Sequence, residues 1–231
     1  MENSGYYERL AAAYIRGRAG RNGYPVFEKP ELLHKDLAEL NEREIDEIIA
    51  IGRSADEKLY AFKNTHSDMP RIKRVLGFLK SVQFESLLDV GSGRGVFLFP
   101  FLEEFPWVQV MSLDILPHRV EFLQNLNNGG ITRLHAMEKN ICEQPLPEKS
   151  MDVVTMLEVL EHIPDVEKAV RAAVRIAKKY VVVTVPSKPD NNPEHIHLIT
   201  KNMLTDLFKE AGCNKLHFDG VSGHLFMVAA I

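Results

Sequence analysis

Apolar residues recur at three- and four-residue spacing through "YYERLAAAYIRG" and again through "PELLHKDLAELNEREIDEIIAIGRSADEKLYAFK", with charges filling the positions between. This period predicts a helical N-terminal extension over residues 1–70. Pro25 and Pro30 interrupt it, and Gly17, Gly20 and Gly23 are expected to loosen the connection near residues 17–30. "PRIKRVLGFLKSV" opens on Pro70, a favourable first-turn residue, and predicts an amphipathic helix. From Phe84 the rhythm changes to short apolar runs alternating with helical segments. "SLLDV", "WVQVMSLDI", "MDVVTMLEV" and "YVVVTVPS" read as strands; "GVFLFPFLEEF", "LPHRVEFLQNL", "VEKAVRAAVRIAK" and "TKNMLTDLFKEAG" read as the helices between and after them. "NKLHFDG" and "GHLFMVAAI" close the chain as two strands joined by a Gly-containing turn. Strand and helix in alternation give an α/β fold, a doubly wound and mainly parallel sheet with helices on both faces, over residues 71–231.

Composition narrows the setting more than the function. The 231 residues are 45% apolar and 26% charged, an ordinary globular balance. A net charge of −4 gives no global attraction to nucleic acid or to an anionic membrane. Two cysteines, Cys142 and Cys213, form neither a disulfide framework nor a thiolate metal site. No apolar stretch approaches a membrane span, and the first residues lack a secretory apolar region. A reducing, cytoplasmic setting without a membrane partner is expected.

Candidate chemistry begins at "LLDVGSGRGVFL", residues 87–98, where a strand ends in a glycine-rich turn. Ligands of open parallel sheets bind at such carboxyl ends. A dinucleotide fingerprint needs G-x-G-x-x-G; Gly91 and Gly93 fit, but the third position is Val96. Instead Asp89 precedes Gly91, Gly93 and Gly95, and an acid there suits an ammonium group better than a phosphate. Asp114 ends the second strand, followed by Ile115, where a carboxylate accepts hydrogen bonds from ribose hydroxyls. Asn140 and Ile141 offer one polar and one apolar side chain to the edge and face of a purine. Ribose, purine and ammonium contacts without a phosphate site fit S-adenosylmethionine.

In "LLDVGSGRGVFL", "VMSLDI", "LPEKSMDVVTMLEVLEHIPD" and "YVVVTVPS", taken in order, residues 84–231 resemble the class I S-adenosylmethionine-dependent methyltransferases. The resemblance implies a seven-stranded Rossmann-like sheet whose last two strands form an antiparallel hairpin. It also implies cofactor contacts from Asp89, Gly91, Gly93, Asp114, Ile115, Asn140 and Ile141. Many members carry Asp where Asn140 stands.

The second chemical segment is "EVLEHIPD". On a helical turn Glu158, Glu161 and His162 would project from one side. "PEHIHLIT" brings His195 and His197 after the next strand, both on one side if the segment is extended. The Glu-x-x-Glu-His element with a later histidine is similar to two methyltransferase groups, the ubiquinone-pathway O-methyltransferases and the small-RNA 3′-terminal ribose 2′-O-methyltransferases. That likeness implies a divalent metal such as Mg²⁺ held by Glu158, Glu161, His162 and His195. His162 and His195 are also the candidate catalytic bases for a hydroxyl acceptor. A third role for Glu161 and His162 is to hold their loop by hydrogen bonds.

Three functions stay open on the sequence. The leading one is methylation of a small-molecule acceptor, most naturally on oxygen, under a cover made by the N-terminal helices and "NPEHIHLIT". The second is a metal-dependent RNA ribose 2′-O-methyltransferase, for which the arginines and tyrosines of "YIRGRAGRNGYPVF" would offer phosphate and base contacts. The third is a non-catalytic S-adenosylmethionine-binding regulator. His66 is expected in a turn leading into a helix; His118, His135, His217 and His224 read as surface or strand residues.

Overall fold

The apolar runs become the strands of one seven-stranded sheet in a computed structural model that describes residues 5–19, 24–25, 27–143, 146–189 and 191–231, with the side chains of residues 64 and 65 left aside. The strands are β1 Ser86–Val90, β2 Gln109–Asp114, β3 Leu134–Glu138, β4 Met151–Leu157, β5 Ala177–Pro186, β6 Lys215–Val221 and β7 His224–Ala230. Their order is β3-β2-β1-β4-β5-β7-β6. β1 to β5 run parallel, whereas β7 pairs antiparallel with both β5 and β6. Of these, β3 carries no clear alternation in sequence. It sits at the sheet edge, where only Leu134 is buried and the polar His135 and Glu138 are exposed.

Eight helices are described: α1 Tyr6–Arg18, α2 Glu31–His34, α3 Glu42–Ser54, α4 Pro70–Lys80, α5 Leu98–Glu104, α6 Pro117–Asn128, α7 Val166–Ile176 and α8 Lys201–Glu210. The buried positions of α7, Val166, Ala169, Val170, Ala173 and Val174, repeat at three and four residues, and Asp165 caps its start by accepting the Lys168 N–H at 3.0 Å. α3 begins with a full capping box, Asn41 and Glu44 each accepting the other's backbone N–H. Consecutive strand residues point to opposite faces, so two cores form. Leu87, Val153 and Val182 join the side packed by α1, α3, α4, α5 and α6; Leu88, Val154 and Val183 join the side packed by α7 and α8.

The N-terminal helices share that first core rather than keeping one of their own. α1 lies directly on α6, and glycines set the separation. A methyl group on Gly17 would come within 1.9 Å of the Asn125 carbonyl oxygen, and one on Gly129 within 1.7 Å of the Ala13 carbonyl oxygen. Gly17 is therefore a packing residue inside α1, not a loosening of the following loop; Gly20 and Gly23 lie outside the described residues. Arg16 donates to the Leu33 and Lys35 carbonyls, and Arg18 pairs with Glu57 at 2.8 Å. Two of the three arginines offered for nucleic-acid contact are thus spent holding the N-terminal helices together, and Arg21 lies outside the described residues. Among the described residues, no helix is long and apolar enough to cross a membrane.

Candidate active site

β1 ends in a turn whose three glycines do two different jobs. All are left-handed, with φ of 69° at Gly91, 55° at Gly93 and 81° at Gly95, a region costly for residues with a Cβ. Added methyl groups would meet Val159 at 2.7 Å from Gly91 and the Phe99 ring at 2.6 Å from Gly95. At Gly93 the nearest atom would be 3.9 Å away. Protein neighbours therefore enforce the outer two glycines, while Gly93 leaves bare backbone beside open space. The Gly91 N–H donates to the Leu113 carbonyl at 2.7 Å, and the Gly93 N–H to Asp114 Oδ2 at 3.1 Å, fastening the turn to β2.

Asp89 is 3% exposed, and sheet register places Thr155 of β4 beside it. The Thr155 hydroxyl donates to Asp89 Oδ1 at 2.6 Å, and the Ser92 hydroxyl to the Asp89 backbone carbonyl at 3.3 Å. Burial nevertheless pushes the Asp89 carboxyl up to about 6, with the Asp114 charge adding to the effect and both hydroxyls opposing it. Such a carboxylate gains from a cation brought against it. Ser112 extends the hydroxyl chain by donating to Ser92 at 2.7 Å. The sequence reading missed Thr155, Ser92 and Ser112. The available signal was a hydroxyl residue inside each of two buried strands.

The remaining expected cofactor residues surround the same strand ends. Asp114 also accepts the Leu116 N–H at 3.0 Å, and Ile115 beside it stands 64% exposed. Asn140 folds its own turn, accepting the Cys142 N–H at 2.9 Å and donating to Glu143 at 3.0 Å. Ile141 is buried in the core with α7 and α8.

Between the glycine turn and α4 lies a crevice of about 170 Å³, lined among others by Arg71, Ile72, Asp89, Gly93, Arg94 and Glu158. A larger depression of about 510 Å³, near Lys149 and Lys215, opens at the opposite end of the strands. The smaller one occupies the carboxyl ends where parallel sheets bind ligands and carries the ionisable groups. Arg71 and Arg94 make one lip of it positive. They also hold the nearby His66 imidazole below its ordinary range, although burial of that ring is the larger cause. His66 sits in the short turn Asn64–Asp68 that leads into α4, as expected. The helices α1, α2 and α3 contribute nothing to the crevice lining; α4 supplies the nearest wall.

On the other side the expected Glu158, Glu161 and His162 face is broken. Glu158 has φ of 58°, which stops any helix, and only the single tight turn Leu160–His162 follows. Glu158 Oε2 lies 3.0 Å from His224 Nε2 instead. Glu161, His162 and His195 do come together, with one ligand atom from each within 4.8 Å of the others. The Glu161 carbonyl accepts the Ile196 and His197 N–H groups, and His162 Nδ1 lies 2.9 Å from the Glu194 carbonyl. The His162 and His195 rings meet edge to face at 4.8 Å. His197 is not part of that group and lines a separate depression with Met203 and Leu207 of α8. None of Glu161, His162 and His195 lines the glycine crevice, whereas Glu158 does.

Residues 88–183 match the methyltransferase domain family. Over these residues the chain carries a methyltransferase domain similar to those of the class I S-adenosylmethionine-dependent enzymes. It is 26% identical over 142 residues to the ubiquinone biosynthesis O-methyltransferase of Pseudomonas entomophila (strain L48), covering 62% of this chain and 61% of that one. The enzyme of the same name from Pseudomonas fluorescens (strain SBW25) is 25% identical over the same shares. The chain thus spans about three-fifths of these curated relatives. Among solved structures, an Aquifex aeolicus S-adenosylmethionine-dependent methyltransferase aligns over 73% of this chain and 93% of its own, with TM-score 0.59 and 18% identity. The [4+2]-cyclase SpnF aligns over 70% and 80%, with TM-score 0.57 and 14% identity. A cyclase on the same sheet shows that methyltransferase architecture alone leaves the reaction open.

The domain's side chains fit the cofactor its family implies. Gly93 leaves room for a ligand against the main chain, buried Asp89 suits an ammonium, and Arg71 suits a carboxylate across the crevice. Asp114 suits ribose hydroxyls, and exposed Ile115 suits the face of a purine.

Proposed function

We propose that this protein methylates an oxygen of a small-molecule acceptor. The shared name of its curated relatives, O-methyltransferase in each case above, carries that reading. The small crevice supports it, since Ile72, Val96, Phe97 and Leu157 form much of its wall and suit a compact, partly apolar acceptor. The inward use of Arg16 and Arg18 weighs against RNA. Bound S-adenosylmethionine supplies a methyl group on a sulfonium, whose departing thioether needs no acid. The protein's tasks are then to fix the acceptor in line and to take up its hydroxyl proton. Asp89, Arg71 and Asp114 orient the cofactor, and Glu158 faces the acceptor. The cytoplasm is the proposed setting.

A second reading rests on the convergence of Glu161, His162 and His195. One carboxylate and two imidazoles match a transition divalent ion such as Mn²⁺ or Zn²⁺ better than Mg²⁺, which prefers oxygen ligands. Calorimetric titration with Mn²⁺ tests it: the ion binds the native protein and not Glu161→Ala. His162 and His195 would be ligands there, rather than bases.

The deciding experiment follows labelled methyl from S-adenosylmethionine into a panel of catechols, phenols and total RNA, with and without chelator. Label in an aryl ether supports the proposal. Label confined to RNA ribose replaces it with the RNA reading, and cofactor binding without transfer to any pool replaces it with a regulatory one.

A further inference from the structure

Glu158 follows the carboxyl end of β4, and His224 opens β7 beside the carboxyl end of β5, so the backbone fixes both at one end of the sheet. The Glu158 N–H donates to the Thr184 carbonyl of β5 at 2.9 Å. The two-residue turn Ser222–Gly223, with φ of 39° and 85°, reverses the chain tightly and sets His224 at the start of β7. The Ser187 N–H, just past β5, then donates to the Gly223 carbonyl at 2.9 Å and ties the hairpin tip to the same strand. Glu158 reaches its position through a left-handed backbone conformation at a residue other than glycine, a strained arrangement that clusters at functional sites.

His224 Nδ1 lies 3.1 Å from the Ser222 carbonyl, which can only accept, and Nε2 lies 3.0 Å from Glu158 Oε2. Both contacts are met at once when each ring nitrogen carries a proton. Glu158 Oε1 is buried and has no hydrogen-bond partner, and its residue lines the crevice with Asp89 and Arg71. A carboxylate on a residue that lines the crevice, with one oxygen paired to an imidazole and the other without a partner, has the capacity to receive a proton.

We propose that Glu158 is the proton acceptor for the methyl acceptor's hydroxyl, and that His224 is its positioning partner. This rests on the O-methyltransferase reading above. As the new C–O bond forms and the C–S bond breaks with its electron pair left on sulfur, the hydroxyl proton passes to Glu158. Neutralising that carboxylate removes the charge that held the second proton on His224. The imidazole, about a quarter exposed, then releases a proton to solvent, and transfer from Glu158 back to His224 restores the pair. One proton leaves per methyl transferred.

Two measurements need no turnover. Nitrogen-15 NMR of the native protein at neutral pH is expected to show His224 protonated on both ring nitrogens. Glu158→Gln is expected to return His224 to a neutral tautomer. The second uses nitrocatechol with S-adenosylhomocysteine bound, in mildly acidic buffer where the free probe keeps its protons. The native protein is expected to raise the probe's phenolate absorbance, and Glu158→Gln and His224→Gln to abolish the rise. In methyl transfer to catechol, Glu158→Gln is expected to lose about 100-fold or more. His224→Gln keeps a donor to Glu158 and is expected to lose about tenfold while flattening the pH profile. A neutral His224 in the native protein overturns the pairing, as does nitrocatechol bound without ionising. Nitrocatechol that does not bind at all counts against the hydroxyl-acceptor reading instead, and the dyad is then decided by the NMR result. Loss of Mn²⁺ binding in Glu158→Gln, with His224 unchanged, overturns the dyad in favour of a metal ligand.

Discussion

Two carboxylates face one crevice, and their surroundings are opposite. Asp89 is sealed in the sheet, its carboxylate takes a hydrogen bond from Thr155, and it sits beside a turn held in place by β2. Glu158 stands a quarter exposed on a strained residue, with one oxygen paired to a histidine and the other unsatisfied. The first arrangement is finished before any ligand arrives, as suits a cofactor common to a whole fold. The second leaves one carboxylate oxygen without a partner, on the side of the crevice proposed for the acceptor. Fixed and unfinished polar groups thus divide the crevice into a donor half and an acceptor half.

The sharpest way to break this division is Asp89→Asn, which keeps the shape and removes the charge. Hydrogen bonds to charged groups contribute about 1.5–3 kcal/mol, so calorimetry is expected to show S-adenosylmethionine affinity about 100-fold weaker, or about 2.7 kcal/mol. An affinity unchanged within about twofold would remove Asp89 from the donor half. The glycine turn separates folding from binding within that half. Gly91→Ala combines a left-handed alanine with a 2.7 Å contact to Val159, and is expected to cost about 2 kcal/mol of stability by thermal unfolding. Gly93→Ala meets no neighbour closer than 3.9 Å, and its strain costs about 1 kcal/mol. Its loss of cofactor affinity is expected to exceed that figure, because the added methyl occupies the ligand's side of the turn. Equal losses in stability and affinity would mean that no ligand approaches Gly93.

The pH dependence follows from the Asp89 carboxyl, raised from 3.8 to about 6 by burial. Between these values the folded protein keeps a proton that the unfolded chain has released. The stability linked to Asp89 is therefore full below the lower value and is lost as pH rises through the upper one. An ammonium-bearing ligand needs the ionised form, so binding runs the other way. Affinity for S-adenosylmethionine is expected to rise by about tenfold between roughly pH 5 and pH 7. In Asp89→Asn that rise should vanish; a rise persisting in the variant would assign it to another group.

The donor half could be read from the sequence because it is local. Asp89, the three glycines and Asp114 lie on two consecutive strands and their turns, so strand ends placed them without tertiary knowledge. Thr155 escaped because it meets Asp89 only through the register of β1 with β4, and Arg71 because α4 folds over the turn from outside the sheet. The polar groups Glu158, Glu161, His162, His195 and His224 come from the segment after β4, the segment after β5 and the start of β7, and of these Glu158 lines the crevice. Helical spacing joined the first three, and the left-handed Glu158 separated them. His224 read as an ordinary strand residue because its importance comes from the antiparallel β7, which returns it next to β5. Edge strand β3 was obscured for a different reason: one buried side chain gives no alternation to see.

The smallest effect concerns Ile115, and it tests whether the donor half is as finished as the division requires. Its side chain is 64% exposed beside Asp114, so the fold gains little from it. Ile115→Ala should leave the melting temperature within about 1 °C, as surface substitutions without partners usually do. If the side chain is kept for the face of a purine, truncation removes a partly buried apolar contact in the complex. That contact is worth about 1 kcal/mol, and its loss weakens S-adenosylmethionine about fivefold. Adenosine alone should weaken by the same factor, since the lost contact is to the base and not to the amino-acid end. A Tm that falls while both affinities hold would make Ile115 a packing residue, leaving Asp114 and Gly93 to define the adenosyl side.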